Sequence, residues 1–526
     1  MQTFLGACES LVLGVLHGFD RLVFRGHLRQ LSYGHGMECY LSANHVLLKD
    51  FKTHAQACTA QLIEASLAPA QRLNRRICYL NSSSISKEDQ ARRIAQQDQI
   101  GDGLICVFKC VEPCQTFEVY RNRPRKMLEL RGKQGKCAFL YHYFLHPVFG
   151  LMHARIQTWF PYAVQVCLNG REWLSRQMDQ AGIGYVRRDN KFTAVEDFAQ
   201  AQALLDEQLR TDWPKTLDEI VGTIHPTHPH LLGRLPVDYY WSVYQSEWAS
   251  DIVFRDRADA QRLFGQWVRY AMMNYHSADI MRFLGKNVPS NGQVNGRFEG
   301  EVVSKLRRRE EGVCIKHWVN GNSIKMYDCD RNIRIETTIN QPEQFKVYRP
   351  SEADPEGEQQ WRTMRRGVAD LHRRAEVSQA ANEQYAAATA AVQEKTPLKE
   401  LVEPLCERVS APGSSLSKRK VRALNPFSAD DAELLAAVND PKHAANGLRN
   451  RELLAMLYAK PARTPVDQRR RSGRVTRLIR LLRAHGILRK VPKTHRYHVS
   501  PEGRKALTAL LAAGNANTEF LTSNAA

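Results

Sequence analysis

The sequence predicts a mixed α/β body (α+β in character) followed by a smaller C-terminal unit of different composition. Three observations carry this. Helix-like and strand-like periodicities interleave through the first 215 residues, Asn320-Gly321 joins two alternating runs, and the linker-like SAPGSSLSKRK precedes a basic segment with strong helical periodicity. At 526 residues the chain is too long for one core, and three to four domains are expected. Lys+Arg 75 against Asp+Glu 55 gives a net charge of +20, which suits either a polyanionic partner or a well-solvated basic surface.

Residues 1–215 read as the mixed α/β domain. DRLVFRGHL, GLICVFKCVE, HARIQTWF and AVQVCLN have strand character, whereas KEDQARRIAQQ, GREWLSRQMDQAG and VEDFAQAQALLDEQLRTDW have helical spacing. The apolar run Leu11–Leu16 lacks a basic flank, and no apolar stretch reaches the roughly 18 residues of a membrane span, so neither a signal peptide nor a membrane partner is expected. Twelve scattered cysteines fit a reduced, cytoplasmic protein. Cys106, Cys110 and Cys114 are four residues apart, unlike the CxxC of most zinc sites, and alternate with Leu104 and Phe108, so they read as core. Around the strand at 20–28, Arg21 and Arg25, with Asp20, His27 and Arg29, form either a phosphate-binding surface or partner charges of a buried strand.

Residues 216–296 are predicted to be largely helical. The histidines of HPTHPH, His225–His230, have Pro and Thr between them and read as a turn. Glu247 and Asp251, four apart, would share one helix face, either holding Mg²⁺ between them or standing as a solvated pair.

Residues 297–349 form an antiparallel meander. A type I′ turn at Asn320-Gly321 pairs Trp318 with Ser323, Lys316 with Lys325 and Cys314 with Tyr327; a second turn at Asp330-Arg331 pairs Tyr327 with Arg334 and Lys325 with Glu336. Ile315, Ile324, Met326, Ile333 and Ile335 then lie on one side. Lys316, Trp318, Lys325, Tyr327, Arg334 and Glu336 make the other, open face of three strands. A phenol beside cations and a carboxylate suits either cross-strand charge pairing or attack on a phosphodiester, with Glu336 at a divalent metal.

Residues 350–408 hold an acidic loop and a long Ala-rich helix, 409–428 a linker, 429–514 the C-terminal unit, and 515–526 a polar tail expected to be disordered. In the C-terminal unit Val475, Leu478, Ile479 and Leu482 make one helix face apolar, with Arg474, Arg477, Arg480 and Arg483 around the rest. ILRKV and HRYHV follow as two strands.

This helix–helix–helix–hairpin order resembles a winged helix-turn-helix domain. The resemblance implies that Arg474, Thr476, Arg477 and Arg480 enter a DNA groove and that Lys490, Lys493, His495 and Arg496 form the wing. The stretch IKMYD…IRIETTIN resembles trans-acting rolling-circle replication initiators of plasmids and phages, with Cys329 where that pattern has Lys. That resemblance implies Tyr327 as nucleophile with Arg334 and Glu336 beside it and Mg²⁺ or Mn²⁺ as cofactor; Lys325, on the same face, joins them as a cation able to hold a phosphate. Together these imply a DNA-binding protein of a mobile element or plasmid, an initiator or transposase-like protein that nicks DNA; a non-catalytic DNA-bound regulator or an RNA-binding protein is the alternative. The sequence carries no Walker loop, dinucleotide fingerprint or Gly-x-Ser-x-Gly elbow, and it leaves the oligomeric state open.

Overall fold

The computed structural model describes residues 8–81, 85–228, 237–286, 300–309, 312–351, 354, 356–390, 398–410, 420–440, 443, 447–491 and 494–514. The chain divides into two compact units. The first, the large-sheet unit, is Leu16–Asp251 with Thr338–Ser378; the second, the meander unit, holds the N-terminal stretch up to Val15, Ile252–Thr337 and the chain from Gln379 onward.

In the large-sheet unit, β1 (Val12–Leu28) leads to helices α1 (Gly34–Ala43) and α2 (Phe51–Arg72), then β2 (Arg76–Tyr79), α3 (Lys87–Gln97), β3 (Gly103–Asn122), β4 (Met127–His146), β5 (Gly150–Gln157) and β6 (Val164–Asn169). Helix α4 (Gly170–Ala181), the small hairpin β7 (Tyr185–Arg188) and β8 (Lys191–Val195), helices α5 (Phe198–Gln208) and α6 (Trp213–Ile224), and β9 (Tyr239–Phe254) complete it. The strands stand in the order β9-β1-β6-β5-β4-β3-β2; β1–β6, β6–β5, β5–β4 and β4–β3 pair antiparallel, and β3–β2 pair in parallel. Leu22, Phe24 and Leu28 of β1 alternate onto the face that also packs Leu62 of α2, Leu174 of α4, Leu205 of α5 and Leu217 of α6. The opposite face, with Cys106, Phe108 and Cys110 of β3, packs beneath Ala91 and Ile94 of α3. The three cysteines are buried and free, as core residues.

Residues 239–254 were expected to be helical and form strand β9 instead. The aromatic, β-branched run YYWSVY prefers a pleated surface, and that preference outweighs the i,i+4 spacing of Glu247 and Asp251. Four is also an even number, so the two carboxylates share a strand face, but about 13 Å apart along the strand rather than one helical turn. Asp251, fully buried, is ion-paired with Arg171 at 2.7 Å. Helices do follow at α7 (Arg257–Asn274) and α8 (Ser277–Phe283).

Among the described residues the meander itself has four strands, in the order β10 (Val302–Arg309), β11 (Gly312–Val319), β12 (Asn322–Cys329) and β13 (Asn332–Ile339), one more than the alternation showed. Asn320 and Gly321 have φ of 46° and 81°, the positive values a type I′ turn demands. Between β13 and the long helix α9 (Leu371–Ala390) lie β14 (Lys346–Arg349) and β15 (Gln360–Thr363), paired with each other in the large-sheet unit. On the apolar side, Ile315, Ile324, Met326, Ile333 and Ile335 are buried, and His317 reaches Ser304 Oγ (2.8 Å) and Tyr385 Oη of α9 (3.1 Å).

The C-terminal segment has its own core, built from α10 (Ala429–Asn439), α11 (Asn450–Leu457), α12 (Pro465–Ala484), the hairpin β16 (Leu488–Lys490) and β17 (Tyr497–Val499), and α13 (Pro501–Gly514). Leu434, Leu453, Val475, Ile479, Leu482 and Leu507 meet there. Leu448, just before α11, bridges to Tyr497 and extends the hairpin. Lys493, the tail 515–526 and linker residues 411–419 lie outside the described residues.

Three buried histidines make stability pH-dependent. Burial pushes His142 to about 4, His225 to about 3 and His317 to about 4. His142 contacts Ser66 Oγ at 3.1 Å, and His225 contacts Tyr239 Oη at 3.1 Å. Below the ordinary imidazole value near 6.5 the unfolded chain takes up protons that the folded chain refuses. Stability is therefore complete above about pH 6.5 and falls as pH drops toward 4, by up to about 1.4 kcal/mol per pH unit for each histidine. Urea midpoints compared at about pH 7.5 and pH 5 should show this fall; equal midpoints would contradict it.

Candidate nucleic-acid interface and tyrosine site

The polar face of the meander forms three registered rows. Val303, Trp318 and Ser323 face one another across β10, β11 and β12; Lys305, Lys316 and Lys325 form the next row; Arg307, Cys314 and Tyr327 form the third. All three pairings expected between β11 and β12 are present. From β13, Lys325 Nζ meets Glu336 Oε1 at 2.5 Å, and Tyr327 Oη donates to Glu336 Oε2 at 2.7 Å. Arg334 Nη1 donates to Tyr327 Oη at 3.4 Å. The predicted quartet Lys325, Tyr327, Arg334 and Glu336 is thus one connected cluster.

The face is not open throughout, as the alternation suggested. Trp318 is 39% exposed and Lys305 and Arg307 are exposed, while Tyr327 and Lys325 are half-buried and Arg334 and Glu336 are each 1% exposed. Every residue of β13 is buried, Arg334 and Glu336 among them. Burial by itself would raise the Glu336 carboxyl. The Lys325 and Arg334 cations and the Tyr327 hydroxyl outweigh it and hold Glu336 below the usual carboxylate range. Glu336 is therefore an ionised acceptor aimed at a phenol. Such a pair can take the phenolic proton while Lys325 and Arg334 offset the negative charge left on oxygen.

The carboxylates expected at a metal, Glu247, Asp251 and Glu336, each have polar partners within their own unit. Asp251 is committed to Arg171, Glu247 Oε1 accepts from Gln245 Nε2 at 3.0 Å, and the Glu336 oxygens face Lys325 and Tyr327.

In the C-terminal segment Arg474, Thr476, Arg477 and Arg480 are exposed on α12, opposite buried Val475, Ile479 and Leu482. Thr476 Oγ1 accepts from Asn450 Nδ2 at 2.9 Å and donates to Ser472 O at 3.0 Å, which ties α11 to α12; Arg474 lies 3.4 Å from Asp430. Lys490 and His495 are exposed beside the hairpin, with Arg496 half-buried.

The large-sheet unit holds a second polar network that sequence reasoning missed. Glu112 accepts from Tyr141 Oη (2.7 Å), Arg155 Nη1 (2.8 Å) and Cys110 Sγ (3.1 Å), and Lys87 Nζ lies 3.7 Å away. The signal was strand register: Tyr141 stands directly opposite Arg155 only once β4 is known to pair with β5. Arg155 and Arg25 flank Gln165 from either side. Arg25 stacks on Tyr244 at 3.4 Å and Arg29 on Tyr240 at 3.3 Å. Burial lowers the Arg25 guanidinium, Tyr244 opposes this, and the nearby cations Arg155 and Arg366 add to the lowering. Arg21 is exposed, with Glu247 and Asp20 among the carboxylates that raise it.

Comparison with family models, with curated proteins and with solved structures gives no match. Among the described residues, no helix is long and apolar enough to cross a membrane.

Proposed function

We propose that this chain is a DNA-binding protein of a mobile element or plasmid. In this reading the C-terminal segment is a winged helix that holds duplex DNA, and Tyr327 cleaves one strand. The observation that carries the binding is the arginine surface of α12, with Arg474, Arg477 and Arg480 exposed behind a buried apolar stripe and a hairpin directly after. A third helix of that charge, followed by a wing, suits a major groove and its phosphates. Tyr327 would give its proton to Glu336 and attack a backbone phosphorus. A P–O bond forms to the phenolic oxygen, the bond to one backbone oxygen breaks, and that oxygen takes a proton from water. Mg²⁺ or Mn²⁺ would be the cofactor for that step.

A second reading is favoured by the burial of Arg334 and Glu336. There the quartet is a structural ion-pair network, and the protein is a DNA-bound regulator or RNA-binding protein without catalysis.

The binding claim is tested with Arg477→Glu/Arg480→Glu. Duplex affinity should fall at least about tenfold, and the slope of log K against log salt between about 50 and 200 mM should shrink by about 2. An unchanged slope would remove the C-terminal segment from the interface.

A further inference from the structure

On the polar face of the meander, β10 and β11 enclose a pocket of about 310 Å³ whose walls include Val303, Lys305, Arg307, Cys314, Lys316 and Trp318, with Glu301 at one end. We infer that this pocket takes one unpaired nucleotide of a single-stranded nucleic acid, its base against Trp318 and its phosphate on Lys305, Lys316 and Arg307. The inference rests on the nucleic-acid reading above and adds to it the form of the polymer and where it lies.

Three features lead there. First, Lys305, Lys316 and Lys325 stand directly opposite one another on three adjacent strands. Like charges so placed repel and weaken a sheet, so the row is better suited to a bound anion than to stability. Lys325 has Glu336 at 2.5 Å, and Arg307, one row on, brings a further cation to the pocket wall. Second, Trp318 is 39% exposed and sits in the row next to the lysines, two residues along the strand and so about 7 Å away. An indole beside cations at this separation matches the alternation of base and phosphate, and aromatic side chains on sheet faces stack bases that have left a duplex. Third, β10 is the edge strand of its sheet and is largely exposed, so an extended polymer can enter along it. The pocket volume is at the lower end of the range for small-molecule sites, room for one nucleotide and not for a paired one. Tyr327 lies in the row beyond the lysines, so the same strand would run from the pocket toward the phenol.

The test measures fluorescence anisotropy of a short labelled oligothymidylate and of a labelled hairpin duplex with the full chain. Trp318→Ala should weaken oligothymidylate binding about tenfold or more while leaving duplex affinity unchanged, and Trp318→Phe should recover most of the loss. Lys305→Glu/Arg307→Glu should lower the salt slope for oligothymidylate by about 2. Thymidine monophosphate should compete only at far higher concentration than the oligonucleotide. The inference is overturned if Trp318→Ala leaves oligothymidylate affinity intact, if it lowers both affinities alike, or if the mononucleotide competes as well as the polymer. These outcomes are distinct from failure of the underlying reading. Wild-type protein that binds neither polymer overturns both. Duplex binding sensitive to Arg477→Glu/Arg480→Glu, with single-strand binding insensitive to Trp318→Ala, overturns this inference alone.

Discussion

Arg171→Leu is expected to cost the large-sheet unit about 3–5 kcal/mol, and Asp251→Leu about as much. Both side chains are 0% exposed, with Arg171 Nη2 at 2.7 Å from Asp251 Oδ2. The same guanidinium approaches Asp20 Oδ1 at 3.8 Å and donates to Ala249 O at 3.3 Å. It is delivered there by backbone geometry. Asn169 caps α4, and a Cβ on Gly170 would lie 1.8 Å from Phe19 O, so the helix start is pressed against β1. The arginine therefore ties α4 to β1 and β9 from inside the core. Removing either partner leaves the other ion buried without its main counter-charge, which is why each single change is severe. The double variant Arg171→Leu/Asp251→Leu should recover part of the loss, since neither ion then remains to be desolvated. Urea midpoints of the four proteins decide it. Single variants within about 1 kcal/mol of wild type would mean that this pair is not what holds α4 to the sheet.

The strand register was legible where the signal was local. The Asn-Gly turn and a strict two-residue alternation placed Tyr327 opposite Cys314 and Lys325 opposite Lys316, and the same arithmetic brought Arg334 and Glu336 alongside. Helix α3 was readable to the residue from KEDQARRIAQQ, with Ser86 as its cap. What escaped was set by distant parts of the chain. Strand β10 hides in SKLRRR because its polar residues fall on an edge that water reaches, so no apolar alternation marks it. Glu336 lies on a strand buried at every position, where period-two alternation predicts one open face, and no turn signal reveals that. The Glu112–Tyr141–Arg155 network needs three strands in register over some forty residues of sequence. Strand β9 failed for another reason: an i,i+4 carboxylate pair is compatible with both periods, and the aromatic content was the better guide.

Tyr327→Phe is expected to abolish strand cleavage and the covalent protein–DNA adduct while leaving DNA binding within about twofold, since the change deletes one hydroxyl from a half-buried ring and leaves the ring's packing. Glu336→Gln should lower cleavage by about 10²–10⁴, the usual contribution of a positioned base. The comparison needs a control for damage, because Glu336 also faces Lys325 inside the sheet. Tyr385→Phe supplies it. Its hydroxyl sits against His317 on the apolar side, so its loss should disturb the core of the same unit without touching the polar face, and the adduct should survive. Supercoiled and end-labelled single-stranded DNA would be incubated with Mn²⁺ and, in parallel, with a chelator, and resolved on a denaturing gel. An adduct present in wild type and Tyr385→Phe but absent in Tyr327→Phe assigns the nucleophile. Salt-sensitive binding with no cleavage of either substrate would instead make the Lys325–Tyr327–Arg334–Glu336 cluster a buried ion-pair network. Its cations would then hold the sheet together beneath a docking face, and Glu336 would owe its low proton affinity to that structural pairing alone.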